Sequence, residues 1–290
     1  MKLTGSEKRQ KREFLLRHRE QEGIYYLKFR AILNRQYRNA AKKYEETGLF
    51  DPSSIQMSDL EPTYRRLYTV NTIREASIEW SVNVLPLLKE LRKSLTAGMQ
   101  TKDLIDDLAE LLGFNNNGRI ISVWRELLED YLNIRILTRI QNVTNTTRDR
   151  IARIIEQGVN EGMSSQDIAR RIRNEARLNR VRSRAIARTE ITSAMNQGKY
   201  LAVSSSNLQY QKIWSNTIDN RTRNAHLAMT DANAIDLIDD FIVGGEYMAY
   251  PGDVRASARN LVNCRCVLAF QVKRDSRGRP IRKSELIQQL

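Results

Sequence analysis

The stretch Asn263-Cys264-Arg265-Cys266-Val267-Leu268-Ala269-Phe270-Gln271-Val272 decides the fold class. Its side chains alternate. Cys264, Cys266, Leu268, Phe270 and Val272 share one face, and Arg265, Val267, Ala269 and Gln271 share the other, which is the period of a strand. Upstream, Leu208, Tyr210, Lys212 and Trp214 alternate with Gln209, Gln211 and Ile213 in the same way. Phe241-Ile242-Val243, Gly244-Gly245 and the run from Glu246 to Tyr250 read as a hairpin on a glycine turn. The rest of the chain repeats at three and four residues. The predicted fold is therefore mainly α with a C-terminal α+β module: a helical N-terminal half, then a small antiparallel sheet packed by helices.

Working back from the strands, residues 182–203 predict a helix in which Ala187, Ile191, Ala194, Gly198 and Leu201 form a narrow stripe. Its small residues let a partner backbone approach closely. Arg188 and Glu190 flank that stripe half-buried, so each needs a partner. Arg221 or Asp219 in the motif region would supply one. Before this helix, Ser164 with Asp167 reads as an N-cap for a helix over 165–176, and residues 146–159 predict another. The polar run 142–147 reads as an interruption, and the domain boundary is placed there.

Further back, Ile120 to Ile140 predicts one long helix through Val123, Trp124, Leu127, Leu128, Tyr131, Ile134 and Leu137. The Asn115-Asn116-Asn117-Gly118 turn precedes it. Leu60, Tyr64, Leu67, Val70 and Ile73, then Leu85, Leu88, Leu91 and Leu95, mark earlier helices, with Pro86 at an early helix position or a kink. Tyr26, Phe29, Leu33, Tyr37, Ala40 and Tyr44 form an apolar face, read as core rather than a base-stacking surface; Gly48 and Asp51-Pro52 end that helix. Residues 6–22 read as a solvated basic helix or a frayed arm. Three modules follow: a helical domain or arm over 1–143, a module over 144–273 (helices 146–203, α+β part 204–273), and a tail over 274–290 that opens with a turn at 275–280.

The 290 residues are 41% hydrophobic and 28% charged, a composition that folds, and the formal net charge is +14. Such a charge attracts polyanions, so double-stranded DNA is a candidate partner, and an acidic protein surface is the alternative. Two clusters carry the basic charge: Lys8, Arg9, Lys11 and Arg12, and then Arg170, Arg171, Arg173, Arg177, Arg180 and Arg184. Each can face phosphate or simply solvent. No apolar run nears the roughly 20 residues of a membrane span, and nothing at the start marks the chain for secretion, so synthesis in the cytoplasm and no membrane partner are expected. The two cysteines, one residue apart, cannot staple distant segments, which fits a reducing compartment.

Scarce residue types gather between Trp214 and Cys266, which hold both cysteines and one of two histidines. Cys264 and Cys266 on one side of a strand can offer two thiolates to a metal, with His226 as a third ligand and Asp219 or water as a fourth; zinc is the ion such a set would take. The spacing is not that of a zinc finger, and the same cysteines can serve as small core residues. Asp219-Asn220-Arg221-Thr222 reads as a turn whose carboxylate caps backbone amides. An enzymatic reading makes Asp219, His226 and Glu190 a hydrolytic set, but the sequence has no glycine-rich phosphate cradle and no obvious nucleophile pair. No catalytic residue is assigned, and structural roles are preferred.

The ordered set Ala187-Arg188-Thr189-Glu190, Asn196, Trp214, Asp219-x-Arg221-Thr222-x-x-x-His226, Tyr250-Pro251-Gly252-Asp253, Asn260 and Asn263-Cys264-x-Cys266 resembles the phage head morphogenesis family, the Mu F-like or SPP1 gp7-like minor head proteins. The resemblance runs from about Thr146 to about Phe270. It implies a minor capsid protein of a tailed phage or prophage, in the virion head near the portal, with the portal protein as partner and a major capsid or scaffolding protein as a further one. It also implies a part in head assembly and in DNA packaging or ejection. Two alternatives stay open: a metal-dependent hydrolase, nuclease-like or toxin-like, centred on His226, Cys264 and Cys266, and a stand-alone DNA-binding protein.

Overall fold

The computed structural model describes residues 5–96, 117–175, 179–217, 219–230 and 234–283. Packing divides the chain into two compact units, one from Met1–His18, Tyr68–Glu129 and Thr189–Leu290, the other from Arg19–Leu67 and Asp130–Arg188. The helices are α1 (Gly5–Thr47), α2 (Glu61–Glu79), α3 (Leu85–Thr96), α4 (Asn117–Tyr131), α5 (Leu137–Asn160), α6 (Ser165–Glu175), α7 (Asn179–Ser204), and two short ones, α8 (Asn224–Leu227) and α9 (Ala258–Leu261). The strands are β1 (Tyr210–Ser215), β2 (Ile235–Asp236), β3 (Phe241–Val243), β4 (Glu246–Met248) and β5 (Val267–Val272). The predicted class holds: among the described residues, helices fill the N-terminal half and the strands lie near the C-terminus.

In the second unit the tyrosine stripe of α1 is core. Tyr37, Ala40, Ala41 and Tyr44 pack with Ile55, with Ile151 and Ile154 of α5, and with Ile168, Ala169 and Ile172 of α6. Gly48 takes the left-handed φ of +66° that ends α1, its N–H bonding to Tyr44 O at 2.8 Å. Ser164 caps α6, accepting from Asp167 N at 3.2 Å. The polar run 142–147 is helical, not an interruption. Thr144 and Thr147 donate to the carbonyls of Ile140 and Val143, four residues back, so their hydroxyls are satisfied inside α5. Arg182 binds Thr147 Oγ1 and Val143 O from α7, and burial lowers its pKa.

In the first unit the start of α1 is a helix and not a frayed arm: one side is solvated, with Lys8, Arg9 and Arg12 exposed, and the other side is packed. Phe14 and His18, four residues apart, point inward at 2% and 5% exposure. On α2, Val70 is 44% exposed and Tyr68 is buried in its place. A π turn over Trp80–Val84 separates α2 from α3 and precedes Pro86, whose missing N–H breaks the regular ladder there. Trp80 meets Trp124 edge-on at 5.8 Å. The long helix predicted over 120–140 is α4, a second π turn over Leu132–Ile136, and the start of α5. Because a π turn holds more residues, the buried positions recur every fourth residue, at Trp124, Leu128, Leu132, Ile136 and Ile140. Val123, Leu127 and Ile134, expected in the apolar face, are exposed. Of the predicted turn at 115–118, Asn117 and Gly118 open α4 and the first two residues lie outside the described ones.

The strands form an antiparallel sheet of order β2-β1-β5 and a separate β3-β4 hairpin. Trp214 stands opposite Leu268 and Tyr210 opposite Val272. Gly244 and Gly245 turn the hairpin with φ of +58° and +85°, the two positive angles of a type I′ turn. The turn at 275–280 closes with a bridge between Arg274 and Pro280. Residues 284–290 of the expected tail lie outside the described ones.

Candidate functional site

One face of α7 organises the motifs. Asn196 Nδ2 donates to Thr192 O at 3.1 Å, Pro251 O at 3.0 Å and Cys266 O at 3.0 Å, and its Oδ1 accepts from Leu268 N at 2.9 Å. Thr192 Oγ1 donates to Cys264 O at 2.7 Å and meets His18 Nε2 at 2.9 Å. The hydroxyl proton being spent on Cys264, His18 must carry its proton on Nε2. Thr189 Oγ1 accepts from Asn263 N at 3.0 Å. Asn263 has a φ of +61°, a left-handed turn that asparagine tolerates, which sets the direction of the Cys264-Arg265-Cys266 segment. Thr192 and His18 were missed in the sequence. Thr192 lies four residues before Asn196, a same-face spacing that could have drawn attention to it.

The Tyr250-Pro251-Gly252-Asp253 segment rests on the same helix. Gly252 has a φ of +87°, and an added Cβ would lie 2.9 Å from Ser193 Cα, so the position excludes side chains twice over. Tyr250 packs on Tyr200 at 5.5 Å. Asp253 is buried and accepts from Ala249 N, Arg255 N and the Arg255 guanidinium, which also holds Asp240. Asn260 Nδ2 donates to Val243 O at 2.9 Å, anchoring the hairpin turn.

His226, Cys264 and Cys266 converge. Their ligand atoms all lie within 4.8 Å of one another, and each residue is 2% exposed. His226 Nδ1 is 3.4 Å from Cys266 Sγ and 3.7 Å from Cys264 Sγ, and its Nε2 is buried with no hydrogen-bond partner among the described residues. Trp214 meets the imidazole edge-on at 5.5 Å and Phe241 at 5.4 Å. The hydrogen bond between the thiols, then burial, raises the Cys264 pKa; the same bond, helped by His226, lowers that of Cys266. A cleft lined by Thr217, Arg221, Thr222 and Arg223 opens onto the three donors.

Asp219 is engaged apart from that group. Its carboxylate receives Arg265 at 2.6 and 2.8 Å, Arg221 N at 3.0 Å and Thr222 Oγ1 at 3.1 Å, the expected capped turn. The Arg265 hydrogen bond holds its pKa well below the usual carboxylate range. The expected link from Arg188 or Glu190 to Asp219 or Arg221 is corrected. Arg188 binds Glu22 at 2.8 and 3.1 Å, and Glu190 accepts from Tyr68 Oη at 2.8 Å. Those partners come from helices far away in the chain, which no local pattern identifies.

The basic clusters are partly neutralised. Arg9 pairs with Glu13, Arg170 with Asp167, Arg171 with Glu161 and Arg173 with Glu45. Lys11 donates to Asn216 O and Arg184 lies over the Tyr26 ring. Lys8, Arg12 and Arg180 are exposed, and Arg177 lies outside the described residues. The carboxylates that meet Arg170, Arg171 and Arg173 come partly from other helices, so the low acid content of the segment itself was a poor guide. Exposed pairs of this kind are weak and do not block a competing phosphate.

Lys212 is the least expected residue of the module. It is 0% exposed, donates to Ala249 O at 2.8 Å, and sits 5.4 and 5.1 Å from the Tyr200 and Phe241 rings. Burial lowers its pKa from 10.5 to about 8. Between those values the unfolded chain binds more protons at this site than the folded one, so stability rises with pH across the window; below about 8 the cost of the buried charge is fully present. Urea unfolding of the wild type and Lys212→Met from pH 7 to 10.5 is expected to show the wild type gaining up to about 3 kcal/mol relative to the variant. A difference that stays flat with pH would show that the ammonium is not desolvated.

Residues 149–269 match the family described as Phage Mu protein F like protein. A stretch of 128 residues is 30% identical to the minor head protein GP7 of Bacillus phage SPP1, covering 43% of this chain and 41% of that protein. Over 127 residues the chain is 28% identical to the uncharacterized protein YqbB of Bacillus subtilis (strain 168), covering 42% and 41%. Over 129 residues it is 32% identical to the NAD(+)–arginine ADP-ribosyltransferase EFV of Enterococcus faecalis (strain ATCC 700802 / V583), covering 43% of this chain and 24% of that enzyme. The match thus spans less than half the length of each of these relatives. No solved structure matches the chain. Across residues 149–269, then, the chain matches the phage Mu protein F like family, as the order of its motifs implied, and is there a homologue of a phage minor head protein.

Proposed function

We propose that this chain is a minor head protein of a tailed phage or prophage, located in the virion, that associates with the portal and acts in head assembly and in DNA packaging or ejection. One observation carries the reading: the segment matching the family and the SPP1 minor head protein contains the Asn196-centred module, in which nearly every motif residue holds backbone or packs rather than facing a reaction centre. A rigid module of that kind suits docking into an assembly. The +14 charge favours a contact with packaged DNA, with Lys8, Arg12 and Arg180 exposed to make it. No described helix is long and apolar enough to cross a membrane. The division at 143/144 and 273/274 remains our proposal for the sequence modules.

An enzymatic reading has the similarity to the ADP-ribosyltransferase in its favour, but that similarity spans 24% of the enzyme. The candidate acids Asp219 and Glu190 are committed to Arg265 and Tyr68. The assembly role is tested by co-expressing the chain with a portal protein from the same phage or prophage and sizing the product. Co-elution with the portal ring is expected. A chain that elutes alone, and whose affinity for duplex DNA falls steeply with salt, would replace this reading with that of a DNA-binding protein.

A further inference from the structure

We propose that His226, Cys264 and Cys266 form a zinc site, with a water from the adjoining cleft as fourth ligand. The argument is geometric. Tetrahedral zinc with Zn–S near 2.3 Å and Zn–N near 2.0–2.1 Å places neighbouring nitrogen and sulfur ligands about 3.6 Å apart. The observed Nδ1–Sγ separations of 3.4 and 3.7 Å bracket that value. Both sulfurs approach the same nitrogen. A neutral imidazole offers one lone pair, so two thiols cannot both donate to it, whereas one ion between the three atoms uses every donor.

The positions of the donors are set by parts of the fold that need no ion. Thr192 and Asn196 bind the carbonyls of Cys264 and Cys266, and Asn216 Nδ2 holds His226 O at 2.9 Å. Trp214 fixes the plane of the ring from one side. A ligand set held this way is preorganised. The small cleft lined by Thr217, Arg221, Thr222 and Arg223 also borders the three donors, which places the one-water fourth ligand there. Arg265, the basic residue between the two cysteines, is neutralised by Asp219, so the cation does not face its charge unshielded. Two thiolates and an imidazole are soft and borderline donors, which select zinc over magnesium or calcium. Binding sends the thiol protons to solvent and leaves two thiolates balancing one divalent ion. The site would tie α8 to the start of β5, a structural crosslink.

The chain has only two cysteines, so every thiol signal reports this site. The full chain, purified reduced and without chelator, is expected to retain one zinc through dialysis, measured by elemental analysis. Its thiols should be unreactive toward a disulfide reagent until a chelator is added. Replacing zinc with Co2+ should give thiolate-to-cobalt absorption and the intense visible bands of a tetrahedral site, lost in Cys266→Ser. The cobalt and thiol measurements use the wild type, so they hold even if that variant fails to fold. A folded chain that retains no zinc when offered Zn2+, and whose thiols react equally fast with and without it, would overturn the proposal. The result is independent of portal co-elution, so either reading can fail without the other.

Discussion

Asn196→Leu is expected to destabilise the protein by about 4–6 kcal/mol, the largest effect of any single substitution considered for this chain. Asn196 is 0% exposed, and its amide serves Pro251 O, Cys266 O and Leu268 N as well as the carbonyl of its own helix at Thr192. Removing it leaves three groups from outside the helix buried without that partner, at about 1–3 kcal/mol each. Partial relaxation makes the sum smaller than three full penalties. Since a domain's whole stability is of order 5–15 kcal/mol, the module should be largely unfolded at modest denaturant. Asn196→Asp should be no better at neutral pH, because it points an oxygen at carbonyl oxygens. Urea unfolding followed by tryptophan fluorescence checks this, Trp214 lying in the affected core. A loss below about 1 kcal/mol for both variants would mean that water replaces these bonds at little cost.

The second large effect is expected at Gly198. A helical glycine replaced by alanine ordinarily gains about 1 kcal/mol from propensity. Here the added Cβ would lie 2.2 Å from Thr72 O and 3.1 Å from Ala76 N, backbone atoms of α2 that cannot rotate aside. Thr72 Oγ1 also bonds Ala194 O at 3.1 Å, so the two helices are held at this distance. Overpacking should outweigh propensity, for a net loss of about 3 kcal/mol or more. Gly23→Ala on α1 is the control: no described residue lies within 4 Å of its added Cβ, and it should stabilise by about 1 kcal/mol. Thermal unfolding of the two variants side by side gives shifts of opposite sign. Stabilisation by both would show that α7 and α2 are not in backbone contact.

Several elements were legible because their signals are local. The tyrosine stripe of α1, the glycine hairpin, the Ser164 cap and the alternation of β1 and β5 each depend on residues a few positions apart, where backbone geometry alone fixes which side chains share a face. The narrow stripe on α7 was legible for the same reason, and Gly198 shows what its small residues are for. The readings that failed are those in which apolar spacing and polarity along the chain did not reveal the helix geometry or the inward side. Two π turns shifted the inward face of the central helices. Threonines bonded back to their own helix kept 142–147 helical, and Phe14 with His18 turned the basic start of α1 into a packed helix.

The candidate site divides along the same line. From the sequence came the membership of the site: one histidine, two cysteines and a tryptophan, picked out by scarcity and order, and with them the family resemblance. The tertiary structure alone decided what each does. It assigned Asp219 to Arg265, Glu190 to Tyr68 and Arg188 to Glu22, and it made Asn196 the residue that fastens the Tyr250–Asp253 turn and the cysteine segment to α7. Residue type and spacing set which hydrogen bonds and charges a side chain is able to offer. Which partner receives them depends on segments up to 205 residues apart meeting in the folded chain, and burial then decides whether an unmade bond matters.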